Sequence, residues 1–250
     1  MKEVAQRALS LLDLTSLNDN DTAETVVALC AKAHGDFGKT AAVCIWPRFV
    51  KTAKKELEGT GVKVATVVNF PHGGTDIEAT VAETKQAVAD GADEIDVVLP
   101  YKAFMDGDKE TAAALLTATR EACKGKVLKV IIESGVLAHA AVIADASRLS
   151  IECGADFIKT STGKTPVSAT LEAANAMLEV IRESGKPVGF KASGGVRTTE
   201  QAADYLTLAD KIMGPKWANV KTFRFGASGL RDSLLASMGY AAAPAENKGY

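Results

Sequence analysis

Eight short runs rich in β-branched and aromatic residues recur along the chain, each separated from the next by a segment of helix length. They are Leu11–Leu14, Ala41–Trp46, Val62–Phe70, Glu94–Leu99, Val127–Glu133, Phe157–Thr160, Val188–Lys191 and Phe223–Gly226. Their spacing, roughly 20–35 residues, is that of repeated βα units. Alternating strands and helices give parallel strands joined by right-handed crossovers. Eight units in about 250 residues is the size at which such a sheet closes on itself. The expected fold is therefore α/β, a single-domain (β/α)8 barrel over 1–239, followed by a short flexible C-terminal tail at 240–250. An open doubly wound sheet is the competing architecture. Its dinucleotide-binding form needs GxGxxG after the first strand, and the chain has none there.

Local signals place several helices. Thr75 with Glu78 reads as a capping box, opening a helix that runs to about Asp90 and is ended by Gly91. Thr198 with Gln201 repeats the pattern. Asn18–Ala33 reads as one long amphipathic helix, and Ser147–Cys153 as a helix end. The formal net charge of −2 gives no general attraction to nucleic acid or to an anionic membrane. No apolar run approaches membrane-spanning length, and the start of the chain lacks the apolar core of a signal peptide. Cys30, Cys44, Cys123 and Cys153 are far apart and form no CxxC pair. The expectation is a cytoplasmic protein with reduced thiols, without a disulfide scaffold or zinc site.

Side chains alternate along a strand. With the apolar sets packed on the helices, Asp13, Asp96, Lys129, Glu133, Lys159 and Lys191 point inward. Lysine is almost never fully buried without a partner. Lys159 and Lys191 lie at the ends of adjacent strands, each followed by a glycine-containing turn. Burial and a neighbouring ammonium both lower a lysine pKa, so one of the pair can serve as a neutral amine that attacks a carbonyl. The spacing does not say which. Asp96 could move protons for such chemistry or act only as a counter-ion. A charge-balanced interior with no chemistry is the alternative, although barrel interiors are mostly aliphatic.

The loops after the last strands suggest an anion site. Gly194 and Gly195, then Gly226, Ala227, Ser228 and Gly229, expose backbone N–H groups, and Gly163-Lys164 adds a cation. Cys44 could face the site, although a buried structural thiol is the simpler reading. His34, His72 and His139 show no metal-ligand spacing. Trp46 and Trp217 read as packing residues, and Arg197 as an exposed helix-start arginine.

These residues resemble the 2-deoxyribose-5-phosphate aldolase family, class I Schiff-base aldolases, over nearly the whole chain. The resemblance rests on Leu12–Thr15, Ala42–Ile45, Asn69–Gly73, Gly91–Val98 and Lys129–Glu133. It continues through Phe157–Gly163, Gly189–Lys191 and Arg224–Ser228. It implies Lys159 as the Schiff-base lysine, Lys191 as the partner that lowers its pKa, and Asp96 as the proton handler. Thr162, Gly163, Lys164, Gly194, Gly195 and Ser228 would contact substrate or phosphate, with Asp13 supporting the lysines. It implies phosphosugar and aldehyde substrates and no metal or organic cofactor. No nucleic-acid or membrane partner is expected, and a homodimer is an assembly open to it. Two departures stand out. Ala192-Ser193 replaces a proline found after the second lysine in some members, and Ser228-Gly229 replaces a serine pair. The second removes one hydroxyl from the anion cup but keeps the Gly229 N–H. Tyr250 resembles a family tail residue that folds over the site. A different sugar-phosphate aldolase, a metal-dependent aldolase and a non-catalytic phosphosugar-binding barrel are the other readings.

Overall fold

Residues 1–240 are described by the computed structural model. The eight runs form eight strands: β1 Leu12–Thr15, β2 Ala42–Ile45, β3 Lys63–Val68, β4 Glu94–Val98, β5 Val127–Ile131, β6 Phe157–Lys159, β7 Gly189–Ser193 and β8 Phe223–Ala227. All pairings among these eight are parallel, and β1 pairs with both β2 and β8, so the sheet is a closed barrel; a separate antiparallel pair joins His34–Gly35 to Gly38–Lys39. Each strand is followed by an outer helix. In order these are Ala23–Lys32, Val50–Glu56, Ile77–Ala89, Lys109–Ala122, Ala140–Glu152, Leu171–Ser184, Thr199–Met213 and Leu230–Met238. No helix among the described residues is long and apolar enough to cross a membrane. The segment from 241 on, and with it the expected role of Tyr250, lies outside the described residues.

Two helix starts differ from expectation. The expected helix at Asn18 begins at Ala23, capped by Thr22 in a reciprocal bond with Thr25. Asn18–Asp21 is a turn instead, because the Asp21 carboxylate accepts from Ser16 Oγ and from Asn18 N. Short polar side chains compete in this way with helical backbone bonds. Likewise Asp76, not Thr75, caps the third-strand helix, accepting from Ala79 N at 2.9 Å. The Thr198–Gln201 capping box is present. An unforeseen helix, Lys2–Ser10, packs against Leu230–Met238 and against Thr199–Met213, where Arg7 forms two 2.7 Å bonds to Asp210.

Outward side chains such as Val43, Val64, Ile95, Leu128, Ile158 and Phe190 form the core with the helices. The inner face divides in two. Ala42, Cys44, Ala65 and Val67 make a small apolar sector with Leu17. The buried charges lie on the other inner positions, with a few uncharged residues such as Ser193 and Gly226 among them.

Candidate active site

Strand register determines which charges meet. Asp96 on β4 is level with Lys129 on β5, Lys159 on β6 is level with Lys191 on β7, and Lys191 with Arg224 on β8. Asp96 is the hub. Its Oδ1 accepts from Lys129 at 2.7 Å, and its Oδ2 accepts from Lys159 at 2.9 Å and Lys191 at 2.8 Å. Lys191 also donates to Asp13 Oδ2 at 2.6 Å, and Lys129 pairs with Glu94 at 2.6 Å. Arg224 bonds Asp13 Oδ1 at 2.7 Å and both oxygens of Glu94 at 2.9 and 3.1 Å. Burial is almost complete throughout the cluster.

The expected inward set is thus corrected in three places. Glu133 lies beyond the end of β5 with φ +55° and bonds Thr162, not a lysine. Glu94 and Arg224 join the cluster. Glu94 shares an inner face with Asp96, so strand alternation carries its signal, and the same alternation applied to Phe223–Gly226 would have offered Arg224.

The formal charges do not cancel. Lys129, Lys159, Lys191 and Arg224 face only Asp13, Glu94 and Asp96. One cation is in surplus, and Lys159 has the weakest hold, a single shared carboxylate oxygen. Burial pulls the Lys159 ammonium down, Asp96 offsets part of this, and Lys191 adds to the fall, leaving it below the ordinary lysine value. Burial also opposes Lys191, but Asp13 and Asp96 outweigh it and hold its pKa above the ordinary value. Lys129 follows the same pattern, with Asp96 and Glu94 overcoming burial. Burial alone would raise the Asp96 carboxyl, yet Lys129, Lys159 and Lys191 keep it well below the usual carboxylate range. Deprotonating Lys159 balances the cluster. Cys44 sits on the inner face of β2, where burial pushes its thiol up despite the lysines.

Gly226 makes room for this arrangement. A Cβ there would lie 2.6 Å from Ser193 Oγ and 2.9 Å from Lys191 Cε. Gly226→Ala is expected to push the Lys191 ammonium off Asp13 and Asp96. Overpacking of this kind costs about 1–3 kcal/mol. Thermal unfolding and turnover measured together check this, and both should fall.

A cleft of about 600 Å³ opens at the carboxyl ends of the strands. Thr162, Gly163 and Lys164 after β6, Gly194 and Gly195 after β7, and Ser228 and Gly229 after β8 all line it. So does the segment Thr15–Asn18 after β1, which sequence reasoning did not single out. Ser193 and Gly226 reach its floor, and both flank Lys191, so the lysine layer lies directly beneath. Gly194 has φ +80°, and a Cβ on it would meet Ser168 Oγ at 2.6 Å and Gly163 Cα at 3.2 Å, so only glycine lets these loops approach. Lys164 spans the cleft and donates to Leu17 O at 2.7 Å. Arg197 is exposed, as expected, and also lines the cleft.

A second, larger cavity of about 780 Å³ opens at the amino ends of the strands. It reaches Glu94 and Arg224 from below, and Lys159 lines neither cavity. Barrels place their chemistry at the carboxyl face, and the convergent polar loops are there.

The chain resembles solved structures over most of its length. A protein from Coccidioides immitis assigned as a deoxyribose-phosphate aldolase shares 33% identity, covering 90% of this chain and 83% of that one, with a TM-score of 0.81. One from Toxoplasma gondii ME49 with the same assignment shares 25% identity over 95% of each chain, with a TM-score of 0.88. The tetrameric deoxyribose phosphate aldolase of Aeropyrum pernix, 23% identical over 95% of this chain and 90% of that one, shares the fold with a TM-score of 0.73. The family model for DeoC/LacD family aldolases matches residues 7–236. With its lysine layer beneath a cleft of polar loops, the chain belongs to the DeoC/LacD aldolase family and is an aldolase.

Proposed function

We propose that the chain is a class I aldolase that reversibly cleaves 2-deoxy-D-ribose 5-phosphate to acetaldehyde and D-glyceraldehyde 3-phosphate. The observation that carries this reading is the surplus cation. A buried cluster with one more ammonium than it can balance gives up a proton most readily from its most weakly held member, Lys159, whose pKa burial and Lys191 lower. A neutral amine is what addition to an aldehyde requires.

Lys159 Nζ attacks C1 of the open-chain sugar, and the carbinolamine loses water to give a protonated imine. Removal of the C3 hydroxyl proton breaks the C2–C3 bond. The electron pair passes into the imine as an enamine, and glyceraldehyde 3-phosphate departs. Protonation of the enamine at C2 and hydrolysis of the imine then release acetaldehyde and restore Lys159. Lys191, held as an ammonium by Asp13 and Asp96, depresses the Lys159 pKa and can supply protons. Asp96, held ionised, is the counter-ion to the imine and orients the water that relays the proton. Backbone N–H groups of Gly195 and Gly229, with Gly194 shaping the turn and Ser228, Lys164 and Arg197 around them, suit a phosphate.

Borohydride reduction in the presence of deoxyribose phosphate should tag Lys159 in a peptide map. An adduct on another lysine would sink the assignment. The phosphate cup has its own test. Gly229 has φ −92°, and a Cβ on it meets nothing within 4 Å. Gly229→Ser therefore adds a hydroxyl to the cup without strain. The expected result is a KM lower by about threefold to tenfold for the phosphorylated sugar, with little change for deoxyribose itself. Steady-state kinetics on both sugars check it.

A further inference from the structure

The turn after β5 holds a buried carboxylate that the lysine cluster does not use. Glu133 is fully buried, and its partners are hydroxyls and an amide instead of a cation. Its Oε2 accepts from Thr162 Oγ1 at 2.6 Å. Its Oε1 accepts from Thr162 N at 3.3 Å, with Thr165 Oγ1 at 3.2 Å. The neighbouring backbones are interlocked. Ser134 N donates to Thr160 O at 2.7 Å, and a Cβ on Gly135 would lie 2.0 Å from Val167 O.

A hydroxyl has one proton and two lone pairs. The Thr162 proton goes to Glu133, and one lone pair takes Lys164 N–H at 3.1 Å. One lone pair remains, on a residue that lines the cleft. A carboxylate can only accept, so Thr162 cannot turn its proton toward a ligand without leaving a buried oxygen short of a donor.

We propose that Glu133 is a positioning residue that fixes Thr162 as an obligate hydrogen-bond acceptor. The site thereby selects acceptor aldehydes that present a hydroxyl beside the carbonyl. This rests on the aldolase reading above and deepens it. In that reaction the hydroxyl lies between the reacting carbon and the phosphate.

The test uses two acceptors that differ only by this group, (R)-2-hydroxypropanal and propanal, with acetaldehyde as donor. The wild-type chain should favour the hydroxylated acceptor in kcat/KM. Glu133→Gln keeps the shape but can donate to Thr162, which frees the Thr162 proton, and the preference should fall about tenfold. Thr162→Val should fall at least as far, and the double variant no further than Thr162→Val alone. A Glu133→Gln protein that slows on both acceptors in proportion, with its preference intact, behaves as a structural variant and overturns the proposal. So does a wild-type chain without the preference. If Glu133→Gln does not fold, Thr162→Ser must retain the preference and Thr162→Val must lose it, and survival in Thr162→Val overturns the proposal. Failure of the wild-type chain to add acetaldehyde to either acceptor, or to glyceraldehyde 3-phosphate, overturns the aldolase reading itself.

Discussion

Lys159→Met is expected to lower turnover on the order of 10⁴-fold or more and to leave borohydride with nothing to trap, while the protein stays folded. Removing one partner of a buried ion pair usually costs about 3–5 kcal/mol, because a charge is left unpaired. At Lys159 the arithmetic runs the other way. Lys129, Lys191 and Arg224 then face Asp13, Glu94 and Asp96 with equal numbers, and Asp96 keeps its bonds to Lys129 and Lys191. Methionine fills much of the volume of the lysine stem. Thermal unfolding should therefore change little while activity vanishes. A large loss of stability would show that Lys159 serves the fold first, and a trapped adduct would show that another amine is the nucleophile.

Lys191→Met should produce a different signature. It also leaves equal numbers of opposite charges, but now Lys159 is one of the three cations needed for balance. Lys191 acts on Lys159 in the direction that lowers its pKa, so its loss raises that pKa and keeps Lys159 protonated at neutral pH. Each unit of increase costs about tenfold in the fraction of neutral amine. Turnover at pH 7 should fall on the order of a hundredfold and recover as the pH rises toward the new Lys159 value. The sign follows from the reactive species being the deprotonated form, which gains population with pH. Asp13 retains Arg224, and Asp96 retains Lys129 and Lys159, so the variant has the pairing it needs to fold. Initial rates from pH 6 to 10 decide the matter, and a pH profile parallel to the wild type would remove the electrostatic role.

All eight strands were legible because β-branched runs at regular spacing have few alternative uses. Their ends were less so. Val62–Phe70 stops at Val68 and Val127–Glu133 stops at Ile131, and both are followed by a non-glycine residue with positive φ, Asn69 or Glu133. Asn69 is held there by its own side-chain bonds to Gly74 and to Val98 O. Glu133 is held by the Thr162 loop some 30 residues away, a tertiary bond with no local signature. The buried lysines were visible through alternation. The charge imbalance that favours Lys159 over Lys191 in the proposed reaction was not, because it depends on the count of charges across six strands. That count needs Glu94 and Arg224, which lie toward the amino ends, away from the loops that draw attention to a site.

The ion layer also gives the barrel a direction. Asp13, Asp96, Lys129 and Lys191 are wholly shut off from solvent, with a chamber above them and another below. The upper chamber is therefore a blind pocket rather than a tunnel, and traffic uses one door. In the proposed cleavage the two-carbon fragment is tethered at the bottom of that pocket and the phosphorylated fragment lies nearer the door. Glyceraldehyde 3-phosphate must then leave first and acetaldehyde last. In the synthetic direction the same geometry requires acetaldehyde to enter before its partner closes the way behind it.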